Sequence, residues 1–308
     1  MRMSDCSVRR ARLDGSGCCD DRDMQITAMV ETVNAELRAA WQLEKRLPGG
    51  LNTGAYLVAQ PNGDRAVLKW RTDDPERMLA AAPIVAAARA RGWPTPAWLA
   101  AGAAPSGEAW VLQQFVAGAP PTRLDGRLAS LMVEVFDSQA GLGDLAGSGW
   151  SDWARGVVFE DWHRLRAKVS DSFPRGREVV AAVDAIAASC PPEPLGGADL
   201  VHGNFNITNT VLAGDHLWMI DVEAVGGGTR AYDVAEALIV STARHTATEA
   251  GRQTLWSYAD TIDERAFAVC AASIALSFAD AVIRHGQLPE APDMVPDLLE
   301  LLAKLRGH

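Results

Sequence analysis

Apolar positions recur at helical spacing in "ITAMVETVNAELRAAWQLEKRL", where Ile26, Met29, Val30, Val33, Leu37, Trp41 and Leu43 predict one helix. It starts at Gln25 and ends at Pro48-Gly49-Gly50. The pattern then changes. "AYLVAQPNGDRAVLKW" sets two β-rich runs about Pro61-Asn62-Gly63-Asp64, and Asn-Gly is a strong hairpin turn. "DDPERMLAAAPIVAAARARG" predicts a helix with Asp74 as N-cap and Pro75 in its first turn. Pro83 predicts a break or kink midway. "WPTPAWLAAG" predicts a loop running into a strand, and "AWVLQQFVAG" predicts a strand at 109–116. Helical patterns follow near 126–142, 150–170, 175–188, 230–249, 251–259, 263–285 and 294–306. Among them, "LVHGNFNITNTVLAGDHLWMIDVEAVGG" predicts a loop, a strand, a Gly-Asp turn, a second strand and a Gly-rich loop. The fold class is therefore α+β: a small β-rich lobe at 25–116 and a larger helical lobe at 117–308. Residues 1–24 lack periodicity and predict a disordered tail.

Composition narrows the function. The 308 residues suffice for two lobes, and 48% hydrophobic with 22% charged residues is ordinary for a globular protein. A net charge of −10 and a pI near 5.1 argue against nucleic acid as a partner. Cys6, Cys18, Cys19, Cys190 and Cys270 are odd in number and form no paired CxxC motifs, which predicts reduced thiols rather than disulfides or zinc. No apolar run near the start suits a signal peptide, and none approaches about 18 continuous residues. The expectation is a cytoplasmic protein with no membrane partner.

Several polar residues stand at spacings that suit phosphate chemistry. Gly49, Gly50 and Gly54 enter the hairpin, where glycine lets backbone amides approach a phosphate; an ordinary hairpin turn has the same look. Lys69 ends the returning strand, which brings it beneath that turn. Asn209 and Asp221 are hard oxygen donors at adjacent strand ends, suited to magnesium with ATP phosphates. Asp233, at the start of an apolar helix, either caps that helix or braces the loop at His202. Trp150, Trp153 and Trp162 either fill the core or line an acceptor pocket.

His202-Gly203-Asn204 followed by Asn209, then Ile220-Asp221, then Tyr232-Asp233-Val234-Ala235, resembles the aminoglycoside phosphotransferase and choline-kinase-like family of the protein-kinase-like fold. "AVLKW", "VLQQFVAG" and "RGWPTPAWL" resemble its lysine strand, lobe-connecting hinge and intervening segment. The resemblance covers about 45–240. It implies a bilobal kinase-like fold and a phosphotransferase using ATP and Mg2+ on a hydroxyl of a small molecule or peptide, in antibiotic resistance or natural-product biosynthesis. It implies Gly50, Asn52, Thr53, Gly54 and Lys69 at the phosphates, and Gln113, Gln114 and Phe115 at adenine. Asn209 and Asp221 would hold the metal, while His202 and Asp233 would brace the loop. Two departures accompany it, at Asn204 and at the helix after Lys69. Asn204 replaces the catalytic aspartate, and a carboxamide cannot accept the hydroxyl proton. Losing a general base costs about 10²–10⁴-fold, so a pseudokinase that binds nucleotide or peptide without efficient turnover is the alternative. Glu76 is the one acid placed to pair with Lys69 from the helix after it, so either Glu76 reaches Lys69 or that ion pair is missing. Gln139 stands where relatives have a Leu-His pair and marks a different acceptor.

Overall fold

The computed structural model describes residues 18–48, 54–147 and 149–305. The expected tail thus lies outside the described residues at 1–17, and helix α1 (Cys18–Leu37) starts earlier than Gln25. It also ends sooner. Arg38 turns left-handed (φ 51°), and Gln42–Arg46 forms strand β1, antiparallel to β2 (Ala55–Ala59). Asn34 closes this corner, accepting from the Trp41 amide at 2.7 Å and donating to its carbonyl at 2.8 Å. Leu43 matched the helical period, but it pairs with Val58 in the sheet-edge ladder, and long-range pairing overrode the local pattern; Trp41 precedes the strand.

The predicted hairpin forms from β2 and β3 (Arg65–Arg71), with Ala55 opposite Lys69. With β4 (Trp98–Ala103) and β5 (Ala109–Gln114) it completes an antiparallel sheet in the order β1-β2-β3-β5-β4. Helix α2 (Pro75–Ala90) begins as expected, with the Asp74 carboxylate accepting from the Arg77 amide. Pro83 does not break it. Met78, Ala81, Val85 and Ala88 are all buried along one stripe that runs through both halves.

The larger lobe contains α3 (Gly126–Gln139), α4 (Trp150–Phe159), α5 (Leu165–Ser172), α6 (Gly176–Ser189), α7 (Ala231–Ala243), α8 (Glu249–Ala259), α9 (Glu264–Arg284) and α10 (Ala291–Lys304). The single helix expected over 150–170 is interrupted by left-handed Asp161, His163 and Arg164. Strands β6 (Asp199–Val201), β7 (Thr210–Ala213), β8 (His216–Met219) and β9 (Gly226–Gly228) lie between α6 and α7. The Gly-rich stretch is therefore not a flexible turn: β9 pairs with β6, and a Cβ on Gly227 would come within 2.8 Å of the Ala146 carbonyl oxygen. Helix α9 is long and apolar enough to cross a membrane by length and composition, yet 83% of its apolar window is buried in the protein, as a core helix would be. The whole is the α+β arrangement expected, a small antiparallel sheet joined to a larger helical body.

Phe136 on α3 is fully buried, with its ring 4.9 Å from that of Phe205 and 5.7 Å from that of Tyr258. Phe136→Ala should lower stability by about 3–5 kcal/mol in urea denaturation. A loss under about 1 kcal/mol would mean that the pocket collapses around the gap.

Candidate active site

Strand β6 delivers the chain into a loop, 202–209, whose amides face the interior, where each needs an acceptor. Asp233, in the first turn of α7, supplies two. Its Oδ2 accepts from the His202 amide at 2.7 Å and its Oδ1 from the Gly203 amide at 2.9 Å. It thus accepts from two successive loop amides. Glu236 accepts from the Phe205 amide at 2.9 Å. His202 is fully buried; its Nε2 bonds the Ile220 carbonyl at 2.8 Å, and its Nδ1 accepts from the Asn204 amide at 3.3 Å. These two bonds place the ring proton on Nε2. Burial pushes the Asp233 carboxyl up against the pull of the amides it accepts. Burial and the charge of Asp233 push Glu236 up to about 8.

Asn204 is exposed at the turn this scaffold creates. Its carbonyl accepts from Asn209 Nδ2 at 2.8 Å, and its side-chain oxygen from Asn206 Nδ2 at 3.2 Å. Gly203 beside it has φ 78°, and a Cβ there would lie 2.0 Å from the Trp150 ring, so Trp150 packs directly on the loop. Trp150 also donates to the Ala224 carbonyl at 3.0 Å. Trp150 and Trp153 pack against the core, while Trp162 is 37% exposed.

Of the two alternatives for Lys69, the pair with Glu76 is not the one found. Glu76 is exposed, and the Lys69 ammonium instead lies 2.5 Å from Asp221 and 3.3 Å from Glu223. Burial alone would push Lys69 down, but the charges of Glu223 and Asp221 more than offset it and leave it above its ordinary value. Lys69 in turn holds Asp221 below the usual carboxylate range, against burial. Helix α2 contributes a different contact: Arg77 donates to the Ala224 carbonyl at 3.2 Å and lies over the Trp150 ring. With that arginine on the segment after Asp221, the counter-ion of Lys69 comes from the segment itself.

Asp221 has φ 66°, a left-handed conformation that aspartate tolerates better than most residues. The Ile220 amide donates to the Asn209 carbonyl at 2.9 Å, which sets Asp221 beside Asn209. Asn209 uses its Nδ2 on the loop, which leaves its Oδ1 available, and the Asp221 side chain is 44% exposed. Two hard oxygen donors suit magnesium, which keeps most of its shell for water and phosphate oxygens. Gly54 (φ 96°) precedes Ala55, the residue opposite Lys69. Gly50, Asn52 and Thr53 lie outside the described residues. Gln113 and Gln114 are paired within β5, and Phe115 follows directly.

Gln139 is fully buried and donates to Asp233 Oδ2 at 2.6 Å. Sequence reasoning also passed over Glu223 and Glu236. The signals were there: an acid two positions beyond Asp221, and an acid one turn beyond Asp233 in an otherwise apolar helix. A cavity of about 480 Å³ lined by Arg89, Trp93 and Trp218 shares none of these residues.

Glu223→Gln should weaken ADP binding about tenfold by calorimetry, since a charge-assisted bond contributes roughly 1.5–3 kcal/mol, while Glu76→Gln should change it less than about twofold. The reverse ranking would mean that α2 swings its acid onto Lys69 when nucleotide binds.

Comparison with known proteins places this geometry. Residues 44–268 match the APH phosphotransferase enzyme family. No curated protein sequence matches the chain. Among solved structures, aminoglycoside phosphotransferase APH(4)-Ia aligns with a TM-score of 0.66 at 16% identity, covering 91% of this chain and 99% of that one. A thermostable mutant of that enzyme, in ternary complex with ADP and hygromycin B, gives 0.65 at 16%, covering 90% and 98%. Amicoumacin kinase hAmiN, in complex with AMP-PNP, Ca2+ and Ami, gives 0.57 at 12%, covering 94% and 93%. At such identities these neighbours show the protein-kinase-like fold. The family match spans well over half of the chain, and the protein belongs to the APH phosphotransferase enzyme family.

Proposed function

We propose that this protein is an ATP- and magnesium-dependent phosphotransferase acting on a hydroxyl of a small molecule or short peptide. One observation carries the reading: Lys69 and Asp221, far apart in sequence, meet at 2.5 Å beside a loop whose amides are fixed by buried acceptors. Transfer of a phosphoryl group asks mainly for positioning and charge neutralisation. In this reading Lys69 binds the α/β-phosphates, and Asp221 with Asn209 holds magnesium, which neutralises phosphate oxygens. Gly50, Asn52, Thr53 and Gly54 cover the phosphates, and Gln113, Gln114 and Phe115 flank adenine. His202 and Asp233 keep the loop in place. Residues 25–116 form the nucleotide lobe, 117–308 carry the acceptor side, and the setting is the cytoplasm. The ADP, AMP-PNP and hygromycin B complexes of the structural neighbours support a nucleotide and a small acceptor.

Asn204 would accept a hydrogen bond from the acceptor hydroxyl and orient it, without taking the proton. A loose transition state asks little of a base, so slow transfer is compatible with this residue. The same residue favours a second reading, a pseudokinase that binds nucleotide or peptide. Asn204 Oδ1 is engaged by Asn206, and the nearby carboxylates are occupied: Asp233 and Glu236 by loop amides, Asp221 by Lys69.

Phosphate release from ATP with magnesium, tested with aminoglycosides and Ser/Thr peptides, separates the two. Acceptor-stimulated turnover is expected from the unmodified chain, rising about 10²–10⁴-fold in Asn204→Asp and vanishing in Asp221→Ala. Silence until Asn204→Asp is introduced would establish the pseudokinase. An Asp221→Ala variant as active as the unmodified chain would sink both readings.

A further inference from the structure

Asp233 and Glu236 lie three residues apart on α7 and so share one face of the helix. The loop presents its amides to that face. His202 and Gly203 donate to Asp233, Phe205 donates to Glu236, and Asn204 between them donates to His202 Nδ1. The Phe205 amide is thus the anchor on the far side of Asn204, and it rests on Glu236. We propose that Glu236 is a positioning residue of the transfer site, paired with Asp233 in a buried two-carboxylate clamp that fixes the backbone on either side of Asn204. The inference rests on the phosphotransferase reading for its catalytic consequence, though the clamp itself does not.

The groups around the clamp decide its charge. Tyr232 from α7 and Cys270 from α9 are both pushed up by burial, so phenol and thiol stay neutral. His202 faces it from the loop, with its ring proton placed on Nε2. Helix α3 contributes Gln139, and α4 contributes the rings of Trp150 and Trp153 against Tyr232. No cation among the described residues of α8 or α10 makes an ion pair with either carboxylate. Two buried carboxylates without a cation cannot readily both ionise. Asp233 receives donors from His202, Gly203 and Gln139 and keeps the charge. The proton falls to Glu236, whose carboxyl is pushed up to about 8 by burial and by Asp233. As a neutral acid Glu236 still accepts from the Phe205 amide. Once it ionises, a second buried negative charge faces Asp233 and the clamp loosens. The sign follows. A carboxyl raised from 4.5 to about 8 on folding gives a contribution that is complete below the lower value. That contribution is lost as pH rises through the upper one.

The test compares the unmodified chain, Glu236→Gln and Glu236→Ala across pH 6 to 9.5 (roughly the window that brackets the upper value). It reads thermal unfolding, hydrogen exchange at the Phe205 amide corrected for its intrinsic rate, and phosphate release. The unmodified chain should lose melting temperature and Phe205 protection as pH passes about 8, with kcat falling and KM for ATP little changed. Glu236→Gln mimics the protonated acid and should keep both flat across the range. Glu236→Ala should raise Phe205 exchange about ten- to a hundredfold at every pH. The same alkaline loss in Glu236→Gln as in the unmodified chain would overturn the proposal, even if Glu236→Ala fails to fold. Indifference of Phe205 exchange to Glu236→Ala would overturn it too. Exchange needs no turnover: if it responds as expected while no variant releases phosphate, the clamp stands and the phosphotransferase reading falls.

Discussion

A loop that threads the interior must give each buried amide an acceptor, and in this protein that demand falls on one helix face. Asp233 and Glu236 meet it from the first turns of α7, with Gln139 from α3 adding a donor to Asp233. Leaving one such amide unpaired costs about 1–3 kcal/mol, a sizeable share of the stability of an ordinary domain. The loop therefore has little freedom to take another path. Its side chains at 204 and 209 inherit their places from a backbone held from behind.

The lobes are joined by a related economy. Lys69 reaches from β3 to Asp221 and Glu223, and Arg77 reaches from α2 to the Ala224 carbonyl that Trp150 also holds. A second seam lies behind it, where Thr95 donates to the Met219 carbonyl and the Met219 amide donates to Pro94. One short segment after β8 thus carries both acids that meet the lysine and the docking point for α2. In this arrangement the lysine depends on the larger lobe for its neutral environment, and the position of α2 enters through a carbonyl rather than through an acid.

The substitution at Asn204 sits inside this framework without disturbing it. Its backbone is held through neighbours whose partners are unaffected by the side chain. Asparagine keeps the size of aspartate and an acceptor oxygen while losing the charge. The loop's backbone path and the charge of the side chain at 204 are therefore separable here, because different atoms set them.

Much of this was legible in the chain itself. The hairpin between β2 and β3, the cap at Asp74, the spacing of His202, Asn204, Asn209 and Asp221, and the apolar period of α9 are local features, set by turns, caps and periods that neighbouring residues decide. Other features needed the folded molecule. Leu43 left a helical pattern for a sheet edge, Pro83 stayed inside α2, and Gly226–Gly228 became a strand, each because distant partners outweighed local preference. Gln139 turned from a pocket marker into a buried partner of Asp233, and Lys69 meets Asp221 and Glu223 rather than Glu76. Sequence spacing by itself determined which residue types stand near one another along the chain. Which donor meets which acceptor was decided only by the tertiary structure, since burial makes each unpaired polar group costly and the choice among candidates depends on what packs around them.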